Sequence, residues 1–195
     1  YAVAAGLPAG NKSIALTSAD NSANLKSTNL LFSLTGSAGS ELYIVKVNFN
    51  NLTYKATNLA EWWNNMNTSG NLPVTRSDFK DTTGRSRGFG CEMLDAWNGD
   101  NLNGVTTGNL GVVPDVVANM SFYHPAVGTT NSAITNKLRF FGLNPLEKYT
   151  FRFFASRSSP KTDNRNTRYM IGSSIAILNV SSNIYNTADI SNVQC

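Results

Sequence analysis

The stretch from residue 137 to residue 156 restricts the possible folds of this chain more than any other. An apolar run at residues 137–141 is followed by a turn-forming segment at 142–148 and by a second run at 149–156, in which alternate residues are aromatic. Two such runs around a short turn predict neighbouring β-strands. Tyr149 opens the second strand directly after the turn. A tyrosine in that position, with its hydroxyl bonded back to nearby backbone, is typical of Greek-key β-sandwiches.

The composition also favours strands over helices. Charged residues make up 14% of the chain, well below the roughly 25% of an average globular protein. Long amphipathic helices normally carry Glu, Lys and Arg on their exposed face, whereas this chain takes its polarity from Asn, Ser, Thr and Gly. A half-buried strand is predicted at residues 42–49, where alternate residues are apolar. Further strands are predicted at 87–94, 167–171 and 175–180.

Short helical segments are predicted at two places. Asn58, followed three residues later by Glu61, resembles a capping box. Apolar residues recur around it at helical spacing, namely Leu59, Trp62, Trp63 and Met66. The tryptophan pair is interpreted as a lid on the core, with a ligand platform as the alternative. Pro114 and Asp115 predict a single helical turn, because proline is tolerated at the first helical position.

Together these patterns predict an all-β protein, an antiparallel β-sandwich of Greek-key or jelly-roll type with one or two short helical turns. The sandwich domain is expected at residues 41–195. Residues 1–40 are rich in Ala, Ser, Gly and Asn and contain two short apolar runs, at 13–17 and 29–35. They are expected to form a hairpin or N-terminal arm, the end of a preceding domain, or a disordered linker.

Glycines and cysteines add more local expectations. Residues 81–84 predict a turn. Gly88 and Gly90 share one face of the strand at 87–94, which indicates a bulge or a close approach of another backbone. Cys91 and Cys195 lack the spacing of a metal site; the sequence leaves open whether they pair with each other, pair with another chain or stay free.

The charge distribution disfavours two classes of partner. The formal net charge is +4, from 16 basic and 12 acidic residues, and the basic residues form no dense block. This pattern predicts a solvated surface and no nucleic-acid partner. No run of 18 apolar residues is present, so no membrane insertion is expected.

The sequence does not predict an enzyme. Its single histidine, His124, has no nucleophile in a Gly-x-Ser-x-Gly motif to act on, although nucleophilic hydrolysis needs a base beside the nucleophile. Glycoside cleavage needs two positioned carboxylates. The acids in or near loops show no spacing that selects such a pair; they are Asp95, Asp100, Asp115, Glu147 and Asp163.

No cofactor is expected, although one loop offers several oxygen ligands. They belong to Asn98, Asp100, Asn101 and Asn103. Calcium takes six to eight oxygens, often several of them from carboxylates. One aspartate among asparagines is a poor match, so turn formation is the preferred interpretation and a calcium ion near Asp100 is the weaker alternative.

A polar loop near the C-terminus carries a second cluster of candidate residues. Arg157 and the segment Asp163-Asn-Arg165 are interpreted as a salt-bridged staple across the loop. The functional alternative is carbohydrate contact, in which polar side chains bond sugar hydroxyls and an aromatic ring stacks on the sugar, on loops held by a rigid scaffold. The candidate ligand-binding set is Trp97, Asn98, Asp100, Arg157, Asp163, Asn164 and Arg165.

Two segments carry a family resemblance, LNPLEKYTFRFFASR at residues 143–157 and DNRNTRY at 163–169. They resemble a β-sandwich module of secreted bacterial cell-surface proteins, often described as fibronectin-type-III-like, which also occurs beside glycan-degrading or esterase domains. Virion proteins of phages that infect such bacteria contain similar sequences. The similarity covers roughly residues 41–195. In the family a glycine-rich segment and a last strand follow the position of Gln194, so here that strand is expected to come from elsewhere, or the sequence is a fragment.

The resemblance implies an accessory module without catalytic residues, located outside the cell, on the cell surface or on a virion surface. Two functions are expected from it. The first is glycan binding or adhesion. The second is a structural role in a phage virion or surface appendage, as a fibre, decoration or capsid-associated subunit that acts through protein–protein contacts as a homo-oligomer or within a larger assembly. An open sheet edge that accepts a neighbour's strand would suit the second function.

Overall fold

A computed structural model of the protein describes residues 12–19, 26–27, 31–38, 41–49, 61–66, 73–96, 99–101, 113–119, 121–124, 134–156, 166–179 and 186–194. Within these residues the first strands are β1 (Lys12–Ala19), β2 (Lys26–Ser27), β3 (Leu31–Ala38), β4 (Glu41–Phe49), β5 (Asn64–Met66), β6 (Val74–Arg76), β7 (Gly90–Met93) and β8 (Gly99–Asn101). They are followed by α1 (Asp115–Ala118), β9 (Ser121–His124), β10 (Ile134–Phe141), β11 (Lys148–Ala155), β12 (Asn166–Ile171), β13 (Ser174–Asn179) and β14 (Asn186–Gln194).

The strands form three sheets. The first has six strands in the order β13-β12-β1-β10-β7-β6, the second has five in the order β14-β11-β3-β4-β5, and the third is β2-β9-β8. All pairs are antiparallel except β4 with β5. The prediction of an all-β protein is therefore confirmed. The helical turn predicted at Pro114 and Asp115 is confirmed as α1.

Side chains from both large sheets contribute to one hydrophobic core. The rings of Phe140 on β10 and Phe151 on β11 meet edge to face, with centroids 5.6 Å apart. The rings of Phe153 on β11 and Tyr169 on β12 stack at 4.2 Å. The inward face predicted for residues 42–49 is also confirmed, since its members are buried; they are Tyr43, Val45, Val47 and Phe49.

The N-terminal strands occupy interior positions in the two large sheets. β1 lies between β10 and β12, and β3 lies between β11 and β4. The two strands pair with different sheets, so the apolar runs of residues 1–40 do not form a hairpin with each other. The expected boundary at residue 40 falls between β3 and β4, which pair directly. The division into residues 1–40 and 41–195 stays a prediction.

The helix predicted around the tryptophan pair is wrong for residues 61–66, the part of the segment that the structure describes. Residues 61–63 are not helical, and Asn64–Met66 form the strand β5. The side-chain amide of Asn64 donates to the carbonyl oxygens of Lys46 and Lys80, at 3.0 and 2.7 Å, and accepts the Lys80 N–H at 3.0 Å. These tertiary hydrogen bonds hold an extended segment against β4, which local helical spacing does not reveal. Asn58 and Leu59 lie outside the described residues.

The close backbone approach predicted near Gly88 and Gly90 is confirmed at Gly90. A Cβ atom on Gly90 would overlap the carbonyl oxygen of Arg76 on the neighbouring strand β6. Gly88 has open space around it but a φ of +74°, a left-handed conformation that favours glycine. The two glycines are therefore required for different reasons, one steric and one conformational.

Gly90→Ala is expected to lower the free energy of unfolding by about 3 kcal/mol, because the added methyl group overlaps backbone that cannot move without disturbing the β6–β7 pair. Gly88→Ala serves as the control and should cost about 1 kcal/mol, the usual penalty of a left-handed residue. Denaturant titration of both variants measures the difference. Equal losses would contradict the close approach at Gly90.

Two further strands differ from the sequence-based expectations. The segment after Asn98 was expected to be a loop of turn formers, yet Gly99–Asn101 form the short strand β8, which pairs with β9. The polar strand β14 was not predicted at all.

Among the described residues, no helix is both long enough and apolar enough to cross a membrane.

Candidate functional site

The turn at residues 81–87 is organised around one buried carboxylate. Asp81 Oδ1 accepts the backbone N–H groups of Thr83 and Arg85 at 2.9 and 3.0 Å, and the Thr83 hydroxyl at 2.6 Å. Its Oδ2 accepts Arg87 Nε at 2.8 Å and lies 2.5 Å from a terminal nitrogen of the same guanidinium. Gly84 has a φ of +88°, which completes the predicted turn.

These hydrogen bonds control the ionisation of Asp81. Burial alone would raise its pKa. The Thr83 hydroxyl, the Arg85 N–H and the Arg87 guanidinium outweigh that effect and lower the pKa to about 2. The carboxylate therefore stays charged at any physiological pH, and its partner Arg87 is held in a fixed orientation.

Arg87 connects this turn to a second polar group. Its guanidinium carbon lies 4.1 Å from the centroid of the Tyr43 ring, a cation–π contact. The Tyr43 hydroxyl donates to Glu147 Oε2 at 3.0 Å, and the Asn144 side chain donates to Glu147 Oε1 at 2.9 Å. β4 and the turn before β11 are thus joined by side-chain hydrogen bonds.

The hydroxyl of Tyr149 behaves as the sequence predicts for a tyrosine corner. It accepts the backbone N–H of Asn144, five residues upstream, at 3.0 Å. It also shares a hydrogen bond with Tyr43. Burial raises the pKa of Tyr43 to about 12 and raises that of Tyr149 further above its ordinary value. Both phenols therefore stay protonated and act as neutral hydrogen-bonding groups.

A pocket of about 180 Å³ adjoins this network. It is lined by Tyr43, Arg85, Ser86, Arg87, Phe89, Gly142, Asn144, Glu147 and Tyr149. The charges of Arg85 and Arg87 are balanced by those of Glu147 and of Asp81 behind it. A balanced pocket of this size suits a small neutral polar group better than a strongly charged ligand.

A second feature is an exposed apolar patch, formed by Leu42, Ile44 and Trp62. Their exposed fractions are 71%, 38% and 45%. The backbone of Thr82 links two of them, because its N–H donates to the Ile44 carbonyl at 2.9 Å and its carbonyl accepts the Trp62 N–H at 2.9 Å. Exposed apolar residues of β4 and of the segment before β5 therefore lie on either side of Thr82.

Lysines surround the apolar patch. Lys80 Nζ lies 4.5 Å from the centroid of the Trp62 ring. Lys46 forms an ion pair with Glu61 and lies 5.2 Å from the ring centroid of Trp63. Trp63 itself is buried. Within the predicted tryptophan pair, Trp63 is thus a covered residue, while Trp62 belongs to the surface.

One of the seven predicted ligand-binding residues, Asp100, lies in the described part of the chain. Asp100 lies in β8, where its backbone pairs with Phe122. The other six lie outside the described residues; they are Trp97, Asn98, Arg157, Asp163, Asn164 and Arg165. Their role in binding, and the staple between Arg157 and residues 163–165, stay predictions.

Candidate metal ligands and reactive groups give no second centre in the described part of the chain. No group of three or more His, Cys, Asp or Glu side chains is found there that could hold a metal ion. The calcium site near Asp100 stays a prediction. Cys91 is a free thiol, fully buried, and burial raises its pKa. Cys195 lies outside the described residues. His124 lies at the end of β9.

The sequence singled out Glu147, Tyr149 and Trp62 individually, but it did not predict the pocket or the patch to which they belong. A signal was present for the turn, since Asp81 begins a Thr-Thr-Gly segment followed by two arginines. No signal linked Arg87 to Tyr43, because 44 positions separate them. Comparison with protein-family models, with curated proteins and with solved structures finds no match to this chain.

Proposed function

We propose that this protein is a non-catalytic structural subunit, displayed outside the cell or on a virion surface, that assembles through protein–protein contacts. The observation that carries the proposal is the apolar patch of Leu42, Ile44 and Trp62. Contiguous exposed apolar side chains on a soluble domain mark surfaces that contact other proteins. Aromatic residues are also enriched at such interfaces.

The proposed fold places the two large sheets face to face. The two large sheets form an antiparallel β-sandwich of Greek-key or jelly-roll type. The ring contacts of Phe140 with Phe151 and of Phe153 with Tyr169 support it, because each joins a strand of one sheet to a strand of the other. A sandwich is a rigid support for surface contacts, since its core fixes both sheets.

The contacts around Trp62 favour a protein partner over a sugar. Lys80 lies over one face of the ring, where it would compete with a stacking sugar. The neighbouring Leu42 and Ile44 add aliphatic surface, which packs well against another protein. Their lysine neighbours form a polar rim of the kind found around protein interfaces.

The hydrogen bonding around the pocket supports a role without catalysis. The polar atoms of Asp81, Tyr43 and Glu147 form hydrogen bonds with neighbouring side chains. Catalytic acids and bases have pKa values tuned near the working pH, whereas the pKa of Asp81 is lowered to about 2 and that of Tyr43 is raised to about 12. The extracellular location rests on the low charge content and on the family resemblance.

Glycan binding is the second candidate function. The pocket beside Tyr43 favours it, because guanidinium, carboxylate and amide groups next to an aromatic ring can bond the hydroxyls of a neutral sugar. A glycan array probed with the full chain tests this candidate. Absence of binding to every glycan on the array would exclude it.

The assembly function predicts concentration-dependent self-association of the purified chain, measured by sedimentation velocity. Leu42→Lys combined with Ile44→Lys should increase the monomer fraction, because two charges would be placed in the apolar patch. Thr75→Lys is the control, because Thr75 is exposed on β6, in the other large sheet. A chain that stays monomeric at the highest attainable concentration would overturn the assembly function.

A further inference from the structure

We propose that the pocket beside Tyr43 and Tyr149 binds one neutral sugar ring through adjacent hydroxyl groups, which Glu147 and Arg85 hold. The inference goes beyond assembly, because the pocket does not include the apolar patch. It rests on the glycan-binding candidate, which it narrows to one site, one ligand class and named contacts. Every residue that lines this pocket lies in the described part of the chain.

The volume of the pocket suits a single ring. It measures about 180 Å³. A cavity of about 150 Å³ accommodates benzene, so this one has room for a six-membered ring with small substituents. Pockets for drug-sized ligands measure about 300–1,000 Å³. A disaccharide or a longer glycan segment would therefore extend beyond the pocket.

Two charged side chains that line the pocket are buried and held in place. Glu147 is 7% exposed, and the side chain of Arg87 is 9% exposed. Glu147 accepts the Tyr43 hydroxyl and the Asn144 amide. The guanidinium of Arg87 is bonded to Asp81. Groups that are fixed before binding lose little conformational freedom when a ligand arrives, so the pocket is preorganised.

A directional chain of hydrogen bonds orients Glu147. A hydroxyl carries a single proton, and that of Tyr43 is donated to Glu147 Oε2 at 3.0 Å. The hydrogen bond between the two tyrosines is then donated by Tyr149. Tyr149 in turn accepts the Asn144 N–H at 3.0 Å. The tyrosine corner therefore fixes the carboxylate that lines the pocket.

The pocket offers both hydrogen-bond acceptors and donors to a ligand. A carboxylate has about four acceptor sites, and in Glu147 Tyr43 bonds one oxygen while Asn144 bonds the other. Acceptor sites therefore remain on this carboxylate. Arg85 and Arg87 also line the pocket and carry N–H donors. A sugar hydroxyl can donate to a carboxylate and accept from a guanidinium at the same time, so adjacent hydroxyls match both groups.

The charges around the pocket disfavour other classes of ligand. An anion would lie beside the carboxylate of Glu147, and a cation would lie beside the guanidinium groups of Arg85 and Arg87, so each would meet a like charge. An apolar ligand would remove water from these groups without replacing its hydrogen bonds. A neutral ligand that both donates and accepts avoids both costs. Phe89 and Tyr149 add apolar surface for the C–H groups of a sugar.

NMR titration of the full chain with small sugars tests the proposal. The neutral probes are the methyl glycosides of glucose, galactose and mannose, and the charged probes are glucuronic acid and glucosamine. At least one neutral glycoside should bind with a dissociation constant of about 1 mM, as expected for roughly a dozen non-hydrogen atoms. It should shift the backbone amide signals of Ser86 and Asn144. Both charged sugars should bind about tenfold more weakly.

Two substitutions should change the charge preference in opposite directions. Glu147→Gln should weaken binding of the neutral glycoside about tenfold, because it removes an acceptor oxygen, and should strengthen binding of glucuronic acid. Arg85→Gln should strengthen binding of glucosamine about fivefold. Arg85 is exposed and bonds Asp81 through its backbone N–H, which the substitution keeps, so this variant should fold even if Glu147→Gln does not. Arg168→Gln is the control, because Arg168 is exposed on β12 and does not line the pocket.

Failure of the pocket site and failure of the proposed functions give different results. The pocket site is overturned if no neutral glycoside binds, if charged sugars bind as tightly as neutral ones, or if Arg85→Gln behaves like Arg168→Gln. Binding to a glycan array that persists in any of these cases keeps the glycan-binding candidate and places its site elsewhere. An array without binding removes that candidate as well. The assembly function is tested separately by sedimentation and depends on neither result.

Discussion

Asp81→Asn should lower the free energy of unfolding by about 3 kcal/mol at neutral pH, because it removes the carboxylate that the buried guanidinium of Arg87 bonds. The side chains of Asp81 and Arg87 are 3% and 9% exposed, so water cannot replace the lost partner. Asparagine keeps the shape of the carboxylate and one acceptor oxygen. Its amide nitrogen, however, can only present hydrogens to Arg87. Urea denaturation monitored by tryptophan fluorescence measures the loss.

The same carboxylate should give the protein a characteristic acid response. The pKa of Asp81 is about 2 in the folded chain against an ordinary value of 3.8. A lowered pKa stabilises the folded state above the ordinary value, and this stabilisation disappears as the pH falls from about 4 through about 2. It amounts to roughly 2 kcal/mol. The Asp81→Asn variant should lack this component of the acid dependence.

Asp78→Asn provides a matched control. Asp78 is exposed, bonds the Ser86 hydroxyl and has a φ of +59°, a conformation that asparagine also tolerates. Its substitution should change the free energy of unfolding by less than about 1 kcal/mol. If Asp78→Asn and Asp81→Asn cost the same, the buried ion pair with Arg87 does not stabilise the turn as described.

Deleting residues 1–19 should abolish cooperative folding. This deletion removes β1, and the six-stranded sheet then separates into β13-β12 on one side and β10-β7-β6 on the other. Each new edge would expose a row of backbone groups that were paired in the sheet. Circular dichroism with thermal unfolding measures the change. A sigmoidal transition at the temperature of the full chain would contradict the interior position of β1.

A single substitution also tests the interior position of β1, without removing the strand. Ala15 pairs with Lys137 on one side and with Met170 on the other. Ala15→Pro removes the backbone N–H from an interior strand and should cost about 3 kcal/mol or more. Ala15→Ser keeps that N–H and is the control. A smaller loss for proline than for serine would contradict the pairing on both sides of β1.

Strands with alternating apolar residues were predictable from the sequence. Residues 42–49, 149–156 and 167–171 were predicted close to the observed β4, β11 and β12, because the period of two records which face lies against the core. The hydroxyl contact of Tyr149 with Asn144 followed from the turn chemistry just before the strand. These features depend on neighbours in the sequence.

Elements without a local pattern were not predictable. β14 buries Ile190 among mostly exposed polar residues, and only its pairing with β11 makes it a strand. The helical spacing around Trp62 and Met66 was misleading, since the Asn64 side chain holds an extended segment through distant backbone groups. Hydrogen bonds to remote strands can override local propensity.

The sequence by itself determined the class of this protein, its principal strands and the corner at Tyr149, because alternation and turn chemistry are local properties. Only the tertiary structure decided that β1 and β3 are interior strands, that Asp81 and Arg87 join Tyr43 and Glu147, and that a pocket adjoins them. The physical reason is that sheet order, ion pairs and pockets arise from contacts between residues far apart in the chain, which no local pattern encodes.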